Sequence, residues 1–406
     1  MTTPTATNQI HRSILSGLGS RASHLHILDT HLIRNAPDPE SDPESDPLSD
    51  LQSLIDQHPS NHWIITLAYN LASTIEPTVP RPDSTFPDII AQRARPIDPA
   101  QQELPAHPYS IDPTQTTLIP MHTYTHMVTR AKEYIAAGDI YQVNLTHPIT
   151  VPFVGSSQSL AQHLFTQTAP AQGSCICFDT NPHTRHAIIS LSPESFLTYS
   201  PSDNVLTTTP MKGTSPASTD PALLYHSEKD RAELNMITDL MRNDLTRISI
   251  PASVKVTNPR QITTHHNSVH QATATITSTP KPSANLADIL RATFPPGSIT
   301  GAPKVRAMQI IHELESQLHP HQDDRGPYCG STLALDPDGS FHASVNIRTL
   351  HIQGTPSPAS PDSFETATLT YRTGAGIVAD SDPESEWRET LTKAQILEST
   401  LGLKLP

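Results

Sequence analysis

Past residue 120 the chain changes its apolar period again and again, and this alternation limits the fold more than any other feature. TYTHMVTRAKEYIAAGD (123–139) sets Met127, Ala131, Tyr134 and Ile135 on one helical stripe, with Gly138 as a stop. IYQVNLTHPI (140–149) then alternates, with Tyr141, Val143 and Leu145 facing one way and Gln142, Asn144 and Thr146 the other. HAIISLSPESFLTYS and STLALDPDGSFHASVNIRTL read as strands, the second turning at Asp336–Gly339. SEKDRAELNMITDLMRNDL, TGAPKVRAMQIIHELESQL and the stretch after Ser381 read as helices. Long helices interleaved with strands predict an α+β or mixed α/β body.

The front of the chain is less regular. HWIITLAYNL (62–71) predicts a buried strand, and residues 76–119 an irregular, Pro/Gln/Thr-rich connection. APDPESDPESDPLSD (36–50) predicts an acidic loop or disordered insert, and TPSPASPDS (355–363) a flexible loop. The division that follows sets an irregular, divergent region over 1–119 against a regular α/β body over 120–406. A net charge of −14 argues against nucleic acid as a partner, while leaving room for a small anion held by local donors. The lack of an 18-residue apolar run predicts no membrane span, and the N-terminus does not read as a leader. Cys175 and Cys177 fall on one strand face and read as reduced core thiols, which with the missing leader predicts a cytoplasmic location.

Three places carry chemistry. Ser227 and Asp230 suit a helix start, after which Asp230 and Glu233 share a face; Ser381 and Glu384 suit another, after which Glu386 and Glu389 share a face. Read alone, each pair is first a set of solvated acids paired to Lys229, Arg231 or Lys393; together they suit a hard cation such as Mg2+. FPPGSITGAPK puts Ser298, Thr300 and Gly301 just before a helix, where free N–H groups bind anions. Lys212, in TTTPMKGTSP, is either an exposed loop lysine or a buried amine of lowered pKa and raised nucleophilicity.

GDIYQVNLT, SLSPESF, PMKGT, EKDRAELNMITDLMRNDL, FPPGSITGAPKVRAMQIIHELE, RGPYCGS, VNIRTL and GAGIVADSDPESEWRET stand in this order. From about residue 120 to 397 the chain resembles the chorismate-utilising enzymes, and within them the aminodeoxychorismate synthases of the para-aminobenzoate branch. The resemblance implies two antiparallel sheets in a sandwich-like core with flanking helices. It implies Mg2+-dependent amination of chorismate to 4-amino-4-deoxychorismate, with Lys212 attacking C2 and ammonia then entering at C4. Glu233 and Glu389 match the magnesium glutamates, and Asp230 and Glu386 acids that assist through water. Tyr328 and Arg348 match residues holding the second carboxylate, Ser298 a hydroxyl near the ring, and Thr300, Gly301 and Gly376 backbone donors. Gln142 stands where hydroxylating relatives carry a lysine that activates water. Glu194 reads as architectural. Ammonia is expected from a separate glutamine amidotransferase subunit.

The chain departs from the pattern in places. NSVHQATATITS puts Gln271 at the catalytic-histidine position with His270 beside it, and a one-residue adjustment exchanges them. Leu234–Asn235 and Pro296 also replace the usual residues. An anthranilate synthase component I and a catalytically impaired paralogue serving as an amidotransferase scaffold are the alternative readings.

Overall fold

The computed structural model describes residues 12–16, 23–33, 46–96, 107–265, 269–318 and 324–406. Its strands are β1 (Arg12–Ser16), β2 (Ser23–Ile33), β3 (His62–Leu67), β4 (Ile89–Pro96), β5 (Tyr109–Ile111), β6 (Thr117–Leu118), β7 (Gln142–Ser156), β8 (Gln172–Asn181), β9 (Thr184–Ser192) and β10 (Ser195–Ser200). They continue with β11 (Val205–Thr208), β12 (Met211–Pro216), β13 (Lys255–His265), β14 (Val269–Ser278), β15 (Gly301–Ala302), β16 (Ser331–Leu335), β17 (Phe341–Val345), β18 (Thr349–Pro356) and β19 (Ser363–Ile377). The helices are α1 (Pro47–Gln57), α2 (Leu71–Ile75), α3 (Met121–Ala137), α4 (Ser157–Thr168), α5 (Pro221–His226), α6 (Glu228–Ile248), α7 (Leu286–Thr293), α8 (Lys304–Glu315) and α9 (Pro383–Leu401).

The strand pairings are antiparallel and form two sheets. One runs β13, β14, then β11 and β12 end to end along β14, then β10, β17, β16, β3, β4 and β2. The other runs β1, β8, β9, β18, β19 and β7, with β5, β6 and β15 along the far edge of β7. β1 pairs with both β2 and β8 and so joins them. Leu25, Ile27, Ile64 and Ile90 of the first sheet meet Ile176, Phe178 and Ile188 of the second in one apolar layer. α1, α6 and α7 cover the first sheet, α4 and α9 the second, and α3 and α8 pack on the site end of β7. This is the mixed α/β architecture with two antiparallel sheets and flanking helices. Among the described residues no helix is long and apolar enough to cross a membrane.

Several local expectations hold for physical reasons. Gly138 ends α3 at φ 84°, a conformation that costs glycine little. Cys175 and Cys177 are buried together in the core of the second sheet. Others change. Residues 76–119 contain β4, hidden from sequence reading because buried Gln92 interrupts its apolar run; its amide donates to the Cys177 carbonyl at 3.1 Å. The acidic stretch ends in a helix, since Asp46 caps the Leu48 N–H at 3.2 Å and Pro47 sits at the first position; its residues 36–45 lie outside the described ones. Tyr141 is 74 % exposed, one residue before β7 begins. Asp382 rather than Ser381 caps α9, accepting from Ser385 N–H at 2.9 Å.

A buried ion cluster ties the walls of the site together. Glu315 Oε1 accepts from Arg325 at 2.6 Å, from Thr146 N–H at 2.8 Å and from the Thr146 hydroxyl at 2.9 Å, while Arg372 reaches its other oxygen at 3.4 Å. Arg325 also donates to the carbonyls of Asn144 at 2.7 Å and Ile299 at 3.3 Å, which fastens β7 to the segment holding Ser298. Glu315→Gln strips the buried Arg325 and Arg372 guanidinium groups of the carboxylate they share. The expected loss is about 3–5 kcal/mol of stability, read as a lower urea midpoint; an unchanged midpoint would show that the cluster is not a structural keystone.

Candidate active site

Lys212 lies on β12 where the pairing with β14 shifts register between Met211 and Thr214. Gly213 follows at φ 85°, and a Cβ there would fall 2.9 Å from Asp230 Oδ1, so both backbone conformation and space call for glycine. A Cβ on Gly376 of β19 would lie 3.2 Å from the Lys212 amine and 2.8 Å from Gln142 Nε2. The missing side chain at 376 therefore makes room for two polar groups from different elements. Gln142 is buried, and among the described residues neither its amide nitrogen nor its oxygen finds a partner. Burial lowers the Lys212 pKa; Glu233 pulls the other way, Lys393 adds to the lowering, and Glu194 and Glu389 oppose it. A free-amine fraction is thereby favoured over that of an ordinary surface lysine.

The carboxylates come from two helices. In α6 the Ser227 hydroxyl accepts from Asp230 N–H at 3.3 Å, and Leu234, Ile237 and Met241 bury the inner face, leaving Asp230 and Glu233 at its margin. In α9 Glu386 is buried, and burial raises its pKa against a hydrogen bond from Ser381. Glu389 is half-exposed, with Lys393 Nζ 2.7 Å from Oε1. Burial pushes its carboxyl up, yet Lys393, Lys212 and Lys229 together hold it below the usual range. Lys229 belongs to α6, and its charge acts on both acids of α9. Among the described residues no three His, Cys, Asp or Glu side chains converge closely enough to hold a metal ion as they stand.

Two neighbours of Lys212 were given no part in the chemistry from sequence, Glu194 having been read as architectural. Glu194 is 5 % exposed, and its pKa is raised to about 7. Burial is the cause; the Ser298 hydroxyl, the Lys212 charge and Met211 N–H pull it down. Nothing in the spacing of SPE signals this, because the partners lie over a hundred residues away or across a sheet. Lys393 was visible as an i,i+4 partner of Glu389, but not as a charge acting on Lys212.

The other candidates divide. Ser298 joins the cluster through Glu194. The amides of Ile299 and Thr300 are spent inside the turn, on the carbonyls of Pro296 and Gly297 at 3.4 Å each, rather than left free at a helix start. Gly301 pairs with Val143 in β15, where a Cβ would fall 2.2 Å from the Gln142 carbonyl oxygen. His270 is a strut: Nε2–H donates to the Thr219 carbonyl at 3.0 Å, and Nδ1 meets the Thr264 hydroxyl at 2.9 Å. Gln271 faces Thr214, one residue beyond Gly213, with its buried Oε1 unpartnered. Tyr328 is buried and lines a cavity of about 150 Å³ with Arg325, Arg372, His186 and His351. Arg348 stands at φ 50° and acts on Tyr371, whose pKa burial pushes up to about 12.

A partly buried amine, within the field of acids from two helices and beside a buried carboxamide on a two-sheet scaffold, marks this place as the candidate active site. The chain belongs to the chorismate-binding enzyme family: the profile described as "chorismate binding enzyme" matches residues 78–399. The match begins within the region set apart above as divergent. The aminodeoxychorismate synthase component 1 of Klebsiella aerogenes is 38 % identical over 278 residues, covering 66 % of this chain and 56 % of that protein. The same component from Escherichia coli K12 is 36 % identical over 302 residues, covering 72 % and 61 %. An anthranilate synthase component 1 from Streptomyces coelicolor is 33 % identical over 281 residues, covering 68 % and 50 %. The chain thus spans between half and two thirds of the length of these relatives. In fold it is similar to the crystal structure of anthranilate synthase component I from Streptococcus pneumoniae TIGR4, at a TM-score of 0.69 and 22 % identity over 96 % of this chain and 92 % of that one.

Proposed function

We propose that the chain aminates chorismate to 4-amino-4-deoxychorismate, with ammonia from a glutamine amidotransferase subunit. The observation that carries this reading is the placement of the Lys212 amine beside Gln142 and Gly376, within the field of Glu233, Glu389 and Glu194. The neutral amine forms a C–N bond at C2, the ring's conjugated double bonds shift, and the C4–O bond breaks. Glu194, held near neutrality, supplies the proton with which hydroxide leaves as water. Ammonia then bonds to C4, the double bonds shift back, and the C2–N bond to Lys212 breaks, restoring the amine.

The donor set suits Mg2+, which takes carboxylate oxygens and keeps waters. Glu233 and Glu389 would hold the ion directly, and Asp230 and Glu386 through water. When bound, it would neutralise and hold the ring carboxylate. Tyr328 and Arg348 are proposed for the second carboxylate, a planar guanidinium being suited to two parallel hydrogen bonds. Gln142 can donate or accept but cannot act as a base, which fits amination better than hydration.

A second reading, anthranilate synthase component I, is favoured by relatives of that name at 32–34 % identity. In that case ammonia enters at C2 and Lys212 is a bystander. Incubation with chorismate, Mg2+ and ammonium, followed by chromatography and mass analysis, decides between them. 4-Amino-4-deoxychorismate without pyruvate is expected. Anthranilate with pyruvate would establish the second reading, and unconsumed chorismate the scaffold alternative.

A further inference from the structure

Lys393 lies one turn beyond Glu389 on α9, and its ammonium is held twice. It pairs with Glu389 Oε1 at 2.7 Å and donates to the Gly374 carbonyl at 2.9 Å. The charges it acts on are Glu389 and Glu386 on its own helix and Lys212 from β12, and Lys229 from α6 acts on the same two acids. Glu386 and Glu389 repel each other one turn apart, and the ammonium offsets that repulsion. The pairing also draws Glu389 toward β19, in keeping with the lack of three converging acids among the described residues. A divalent cation at the same oxygen would meet the ammonium at close range, and like charges so placed repel even in water.

We infer that Lys393 is a built-in counter-ion that competes with a divalent cation for Glu389, so that the cation binds only as the lysine lets go. This rests on the reading of Glu389 as a cation ligand. The anchor at Gly374 makes the competition specific: the backbone carbonyl keeps the ammonium beside the carboxylate, where a free lysine on a helix surface would spend much of its time in water. The pair is about half exposed, with side-chain exposures of 44 % and 50 %, so the effect is moderate and depends on salt.

The test is a Mn2+ titration of the full chain without substrate, at low ionic strength, followed by loss of the free-ion EPR signal. Lys393→Met, which keeps the stem and removes the charge, is expected to bind Mn2+ about three- to tenfold more tightly than the unmodified chain. Lys393→Arg, which keeps the charge, should bind like the unmodified chain, and Glu389→Gln should weaken binding in both the Lys and the Met backgrounds. Raising the salt should narrow the gap between Lys and Met. Equal or weaker Mn2+ binding by Lys393→Met, with Glu389-dependent binding intact, would overturn the competition and leave the cation site standing. If neither protein binds Mn2+ through Glu389, the cation reading falls and the competition with it.

Discussion

Lys212→Ala is expected to abolish the covalent adduct with chorismate and to lower amination by about 10³-fold or more, as when a covalent nucleophile is removed. The reason is positional. Among the described residues Lys212 carries the amine beside Gln142 and the open space over Gly376: Lys393 is tethered to Glu389 and Gly374, and Lys229 is exposed on α6. The adduct is read as a mass increase on the intact chain incubated with chorismate but no ammonia. The variant should fold, because Lys212 is only partly buried and stands at a register shift rather than inside a regular ladder. Full activity in the variant with the same product would remove the covalent route and favour direct attack by ammonia.

Glu194→Gln should cost about 10²–10⁴-fold in turnover, the range for losing a positioned general acid. The substitution keeps size and hydrogen bonding to Ser298 while removing the proton. The pH profile gives the stricter test. Burial raises the Glu194 pKa to about 7, so its acid form predominates below that pH and is lost above it. Two groups set the rate at low substrate: Glu194 in its acid form, lost as pH rises through about 7, and Lys212 as the free amine, gained as pH rises; Glu194→Gln should remove the first dependence and leave a rate that only rises with pH. An alkaline limb that survives in Glu194→Gln would assign the proton to another group. Lys212→Ala should also move Glu194 further up, since the lysine charge is one of the forces holding it down.

Much of the scaffold was legible because its cause is local. The stripe of Met127 and Ala131, the Gly138 stop, the alternation of Val143 and Leu145 and the turn at Asp336–Gly339 follow from neighbouring residues alone. β4 was missed because a buried glutamine satisfied by a distant carbonyl looks polar in sequence. The cap of α9 was placed one residue early because Ser381 and Asp382 are equally good caps. The choice was made by Val378 N–H, which uses the Ser381 hydroxyl at 3.0 Å.

The site divides in the same way. Lys212 and the two carboxylate pairs were visible as residue types at helical or loop spacing. Glu194 and Lys393 gained their part only when β10, the Ser298 turn and α9 closed around one amine. His270 and Gln271 show the limit most plainly: adjacent residues on a strand point to opposite faces, and only the ladder with β12 and β13 decided which became a strut. The sequence by itself determined the periods, the stops and the stock of amines and acids, since these depend on residues a turn or two apart. The tertiary structure alone decided which charges meet and how far burial moves their pKa values, since both depend on distances between segments far apart in the chain.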